Sequence, residues 1–300
     1  MTSPDASLTV LPGGHSGRTF LGEAAGDRVV VRLYPPDDRR GPEAPEVDAA
    51  VVRLVRGLVP VPEVVEVRRA HPGTGQPGLL VTSWLPGERG DLAVARLTAA
   101  GDADGLRRLG RATGTLAATL AGMPMLRRGP FADAELSVGR FPDGGLVDWV
   151  RERLPTWPEA ERRGLVEVAR VAQERLDVVD RACLVHSDLN PKNLLVDPAS
   201  LAVTAVLDWE FAHAGHPWTD VGNLLRFERH AAYVEAVLDA WTDLRGGEPA
   251  ALLDGARAAD LWALVDLAAR AGENPVADRA ARLLRAVART ADLHAWPVGG

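Results

Sequence analysis

The run His186-Ser187-Asp188-Leu189-Asn190-Pro191-Lys192-Asn193 gathers more reactive side chains than any other part of this 300-residue chain, and apolar residues flank it on both sides. Phosphoryl transfer asks little covalent work of a protein: a carboxylate beside the attacking hydroxyl, and oxygen ligands for a divalent cation. Asp188 can be that carboxylate. Asn193, five residues on, can offer an amide oxygen to a metal. Twenty residues past Asp188, Val206-Leu207 lead into Asp208, a carboxylate at a strand's end that could hold Mg2+ against the β- and γ-phosphates. Among 34 basic residues Lys192 is the only lysine, and it stands next to Asn193.

These groups need a scaffold. Residues 8–11, 18–23 and 28–34 read as short strands, the last of them, Arg28-Val29-Val30-Val31-Arg32-Leu33-Tyr34, β-branched and stopped by Pro35-Pro36. Between the first two lies the glycine-bearing turn Gly13-Gly14-His15-Ser16-Gly17-Arg18-Thr19, whose backbone N–H groups could approach phosphate; it lacks the G-K-[ST] ending of a Walker A loop. Val47, Val51, Leu54 and Leu58 recur at helical spacing within a helix expected over 43–57. Strands 63–67 and 79–85 follow. Beyond Gly87 the pattern turns helical at 105–121, 145–154, 159–177, 219–227, 230–244, 249–271 and 275–293, interrupted by a strand–loop–strand unit from Ala182 to Trp209. The expected fold class is α+β: a small β-rich lobe over 1–87, ending in a hinge, and a larger helical lobe over 88–300.

The H-x-D-L-x-x-x-N spacing matches the kinase catalytic loop. More closely, the chain resembles the aminoglycoside phosphotransferase-like family, small-molecule kinases with a protein-kinase-like bilobal fold. The family's H-G-D-L-H-P-G-N-[IL]-L loop is echoed by residues 186–195, its I-D-W motif by Leu207-Asp208-Trp209, and its G-D-P-x-x-D-[LV] motif by residues 215–221. Ser187 and Lys192 replace glycines of the pattern, and His216 replaces its first aspartate. The resemblance implies an ATP- or GTP-dependent enzyme with Mg2+. Asp188 would be catalytic and Asn193 and Asp208 would hold the metal, with His186 and Asp220 bracing the loop. It also implies that Arg32, with Gly13, Gly14, Ser16, Gly17, Arg18 and Thr19, steadies the phosphates, and that Ser83-Trp84-Leu85 form the hinge against the purine. Lys192 would touch phosphate or brace the loop. A helix carboxylate should pair with Arg32; Glu46 is chosen ahead of Glu43 and Asp48.

Composition narrows the partners. Net charge is −7 with a pI near 5.6, so bulk charge does not suit nucleic acid. A single cysteine, Cys183, allows no intrachain disulfide, and neither a signal peptide nor a membrane span is expected; a cytoplasmic monomer or homodimer is. Net acidity and the resemblance together suggest a cationic hydroxyl-bearing antibiotic as acceptor: a capreomycin- or viomycin-type peptide, or an aminoglycoside. Glu210, Asp148, Glu152, Asp266 and Glu273 are the candidate pocket acids, with Glu235 and Asp239 behind them, and Trp149, Trp157, Trp241 and Trp262 are candidate pocket walls. A neutral antibiotic, or a metabolite such as an amino alcohol or sugar, is the alternative acceptor. A nucleotide-binding pseudokinase acting as an interaction module is the alternative class.

Overall fold

The computed structural model describes residues 8–11, 18–24 and 26–297. Its first part is a five-stranded antiparallel sheet of β1 (Thr9–Val10), β2 (Arg18–Ala24), β3 (Asp27–Tyr34), β4 (Val64–Arg68) and β5 (Gly78–Ser83), in spatial order β1-β2-β3-β5-β4. The β-branched run of β3 suits its central place, paired with β2 on one edge and β5 on the other. Helix α1 (Ala44–Val55) packs on β4 and β5 and buries Asp48, Val51, Val52 and Val55, positions that share one helical face.

Directly after Pro86-Gly87 the chain enters the second part: β6 (Glu88–Arg89) pairs with β10 (Leu194–Val196), which pairs in turn with β11 (Val203–Val206). Gly87 has φ +154°, and a Cβ there would sit 2.9 Å from Leu195 Cβ, so the crossing needs glycine. Helix α2 (Gly90–Ala99) runs from this point and packs on the turn at 191–193; α3 (Ala103–Ala121) follows. Short strands β7 (Pro124–Met125) and β8 (Gly129–Pro130) join β9 (Ala182–Val185) and β12 (His213–Gly215) in a four-stranded sheet, with helices α4 (Leu146–Arg153) and α5 (Glu159–Asp177) between β8 and β9. Helices α6 (Thr219–Leu225), α7 (Ala231–Arg245), α8 (Pro249–Ala269) and α9 (Pro275–Thr290) complete the chain.

Three apolar clusters result: a small one of Tyr34, Ala44, Ala49 and Leu80 in the first part, and two larger ones. One joins α3 and α7 to β9 through Leu106, Leu109, Tyr233 and Leu184; the other joins α4, α5, α8 and α9 through Leu146, Leu165, Val265 and Leu284. Every helix expected from periodicity is present. Helix α2 was not expected: it opens on Gly90 after Arg89, which gives no side-chain cap, and only Ala93, Val94 and Leu97 form its apolar face. The strand expected to reach Leu85 stops at Ser83, with the Trp84 N–H making the last bond to β3 at Arg28. Among the described residues no helix is long and apolar enough to cross a membrane.

Candidate active site

The fully buried β9 delivers His186 to the head of the polar run. Asp220, in the first turn of α6 and 2% exposed, accepts the backbone N–H groups of His186 (3.0 Å) and Ser187 (2.8 Å). Burial pushes the Asp220 carboxyl up, against the pull of those two donors and of His186. His186 Nδ1 accepts the Asp188 N–H (3.3 Å), while Nε2 lies 2.9 Å from the Leu207 carbonyl, which can only accept. The ring therefore carries its proton on Nε2 and links the run to the strand end that presents Asp208. Ser187 takes φ +67°, left-handed backbone of the kind that favours glycine.

Asp188 comes out of this bend with its carboxylate held on both sides. Asn190 Nδ2 donates to Oδ1 and Asn193 Nδ2 to Oδ2, each at 2.8 Å, and Lys192 Nζ stands 4.0 Å from Oδ2 with 43% of its side chain exposed. With its nitrogen committed to Asp188, Asn193 turns its amide oxygen elsewhere. Across the β10–β11 hairpin Leu207 N–H donates to the Asn193 carbonyl (2.9 Å) and Leu194 faces Val206, so Asp208 lies beside Asn193. Two residues with hard oxygen donors are thus neighbours in backbone. Among the described residues no group of three His, Cys, Asp or Glu gathers; an amide and one carboxylate fit an ion such as Mg2+ that takes its other ligands from phosphate and water.

Asp208 also has left-handed backbone, φ 66°. A cation already stands on its carboxylate. Arg32, from the centre of β3, donates through Nη1 to Asp208 Oδ1 (2.6 Å) and through Nη2 to Glu210 Oε2 (2.5 Å). Burial would lower the Arg32 pKa, but Tyr34, Asp208 and Glu210 hold it well above the usual guanidinium value. This overturns the placing of Glu210 among pocket acids: its side chain is 6% exposed and faces Arg32, because a part-buried guanidinium draws carboxylates to itself. The helix carboxylate beside this cation is Asp48, not Glu46. Residues 46 and 48 lie about 200° apart around a helix. Glu46 meets Arg69 (2.8 Å), whereas buried Asp48 binds Tyr34 Oη (2.7 Å) and Arg40 Nη1 (2.7 Å). Arg40 Nη1 also donates to the Glu210 carbonyl at 3.0 Å, a bridge that no sequence signal announced.

The other expected residues are spread more widely. Gly13, Gly14, Ser16 and Gly17 lie outside the described residues; Arg18 and Thr19 sit on β2, with the Arg18 guanidinium over Phe20. At the hinge Ser83 and Trp84 give their N–H groups to Glu63 and Arg28, and Arg28 stacks on the Trp84 ring 4.1 Å from its centroid; the Leu85 N–H has no backbone partner among the described residues. Asp148 caps its own helix at the Gly145 N–H, and Asp266 pairs with Arg153 and Arg270, so both carboxylates serve local structure. Glu152, Glu235, Asp239 and Glu273 are exposed. Trp157 and Trp241 are core, while Trp149 and Trp262 stack 5.8 Å apart between α4 and α8. His216 Nδ1 accepts the Trp218 N–H (3.2 Å), an acceptor's task that the replaced aspartate could also do.

Asn223 and Asp260 are a support that sequence reasoning missed. Leu189 N–H donates to Asn223 Oδ1 (3.3 Å), Asn223 Nδ2 to Asp260 Oδ1 (3.1 Å), and Arg226 grips Asp260 at 2.7–3.0 Å, all buried. The signal was three polar residues at core spacing: Asn223 in α6, Arg226 just after it and Asp260 in α8.

A family model described as "Phosphotransferase enzyme family" matches residues 7–253. A microcompartment-associated aminopropanol kinase superposes with TM-score 0.67 at 20% identity, covering 96% of this chain and 93% of that one. Aminoglycoside phosphotransferase APH(4)-Ia, in a ternary complex with ADP and hygromycin B, gives 0.63 at 17% identity over 95% and 94%. Aminoglycoside 2'-phosphotransferase-IIIa with GDP gives 0.65 at 17% over 96% and 93%. A 45-residue stretch is 47% identical to Acyl-CoA dehydrogenase family member 11 of Mus musculus, which is 15% of this chain and 6% of that one. Family member 10 of Mus musculus is 33% identical over 85 residues, 26% of this chain and 8% of that one. The chain therefore spans under a tenth of these curated relatives' length.

Proposed function

The chain belongs to the phosphotransferase enzyme family, and from that premise we propose that it moves the γ-phosphate of ATP, or of GTP, to a hydroxyl of a small cationic molecule. One observation carries the reading: Asp188, braced by Asn190 and Asn193 on a loop anchored by Asp220, stands with Asn193 next to the strand end that carries Asp208. Asp188 orients the acceptor hydroxyl and takes its proton as the phosphoryl group arrives. Bound at Asn193 and Asp208, Mg2+ would neutralise charge on the phosphates. With Asp208 so engaged, the Arg32 fork would turn from it to phosphate oxygens. Lys192, compact and exposed beside Asp188, adds positive charge where the transferred group passes.

The nucleotide reading draws on the neighbours that hold ADP and GDP, and on the Leu85 N–H at the hinge, which has no backbone partner among the described residues. The cationic acceptor draws on neighbours that bind hygromycin B or act on aminopropanol, and on net acidity. The test uses γ-labelled ATP, magnesium and a panel of aminoglycosides, capreomycin- and viomycin-type peptides, amino alcohols and neutral sugars. Transfer to a cationic acceptor, lost in Asp188→Asn, is expected. Transfer to neutral acceptors alone, or to none, overturns the proposal.

A further inference from the structure

Behind the catalytic loop, between α8 and α9, a small cavity is lined by Arg229, Arg257 and Asp260 together with Leu264, Leu283 and Val287. It has room for about one water-sized occupant. Two guanidinium groups reach this place without a carboxylate of their own. Arg257, 8% exposed, donates through Nη1 to the Leu225 carbonyl (2.5 Å), and Arg229 Nη1 donates to the same carbonyl (2.7 Å). The two like charges therefore crowd one acceptor. Arg257 Nε and Arg229 Nη2 are both buried and have no hydrogen-bond partner among the described residues. Asp260 does not serve them; its oxygens bond Arg226 and Asn223.

The charge balance is uneven. Arg226, Arg229 and Arg257 face one buried carboxylate, Asp260; adding Arg279, Glu228 and Asp188, the next charged groups, still leaves positive charge in excess. A buried cation without a counter-charge costs several kcal/mol, and each buried unpaired N–H adds to that cost. Burial lowers the Arg257 pKa to about 10 and, with help from Arg257, that of Arg229 to about 9.

We propose that this cavity binds a monovalent, monatomic anion of the halide class, held by Arg257 Nε and Arg229 Nη2 between apolar walls. Two buried, unpartnered N–H donors on lining residues and net positive charge select for an anion. The size excludes phosphate and carboxylates, and the leucine and valine walls favour a weakly hydrated ion. The site lies next to Asp260, which ties the Leu189 N–H through Asn223, so its occupant stabilises the layer on which the catalytic loop rests.

Thermal unfolding of the full chain in sodium bromide against sodium gluconate, at equal ionic strength, tests the idea. A saturable rise in Tm of about 2 °C or more with bromide is expected, absent in Arg257→Met. Should that variant fail to fold, bromide-soaked crystals of the unaltered protein decide by anomalous scattering: a peak in hydrogen-bond range of both nitrogens is the expected result. Equal Tm in the two salts, with only a water between the guanidiniums, would overturn the proposal.

Discussion

Arg32 and Asp208, 176 residues apart in the chain, are joined by a 2.6 Å hydrogen bond between Nη1 and Oδ1. The bond fastens the centre of the first sheet to the residue proposed to hold the metal, and Glu210 accepts the other prong of the same guanidinium. Arginine suits this place better than lysine, since only a planar fork can serve two carboxylates and later two phosphate oxygens. Arg32→Met is expected to lower kcat/KM for the nucleotide about ten- to hundredfold, the worth of one charge-assisted bond. Arg32→Lys should fall between, keeping the charge and losing the fork. Steady-state kinetics at varied ATP would check both; unaltered kcat/KM in Arg32→Lys would show that the fork has no role.

Asp188 is fixed by its neighbours as much as by its own backbone. Asp188→Asn should lower kcat about 10²–10⁴-fold, the usual worth of a positioned proton acceptor. Asn190→Ala removes one of the two amides at the carboxylate and leaves Asn193 in place. A smaller loss, about tenfold in kcat with KM for nucleotide unchanged, is expected from misorientation. A matching rise in KM would mean that Asn190 acts on the nucleotide instead.

Ser187 holds a left-handed conformation, φ +67°, so that its N–H and that of His186 can both reach Asp220. A side chain there costs about 1–2 kcal/mol, and glycine gives back part of that gain through chain entropy. Ser187→Gly is therefore expected to stabilise the protein by about 0.5–1 kcal/mol in urea unfolding, with activity kept. A destabilised variant would mean that the serine hydroxyl contributes a bond that offsets the backbone strain.

The helices and the central strands were legible because burial imposes period: Val51 and its neighbours on α1, and the β-branched run on β3, carry their environment in their spacing. The gathering of His186, Asp188, Asn193, Asp208 and Asp220 was legible for a related reason, since the polar run is local and its two outside partners follow within 32 residues of Asp188. Partners chosen across the fold were not. Glu46 and Asp48 are two residues apart, and only the rotation of α1 against the sheet decides which of them turns inward. Glu210 looked like a pocket acid because nothing in its own segment reveals that Arg32 reaches it from β3. Asn223 and Asp260 were hidden by being polar inside an apolar pattern, where their pairing with Leu189 and Arg226 shows only in three dimensions.

His216 gives the structure a pH signature. It is 8% exposed, and burial, reinforced by Arg128, pushes its imidazole down to about 3 while Nδ1 caps the Trp218 N–H. An unfolded histidine takes up its proton near pH 6.5. Between about pH 6.5 and 3 the unfolded chain therefore binds a proton that the folded chain refuses. Stability is fully present above about 6.5 and is lost as pH falls, by up to about 1.4 kcal/mol per pH unit from this residue. In His216→Asn an amide oxygen can still accept the Trp218 N–H but no proton is taken up in this range. Its stability should be flatter between pH 6.5 and 4, measured by urea unfolding at each pH. Parallel curves for the two proteins would mean that His216 is protonated in the folded state and that the cap at Trp218 is held by another group.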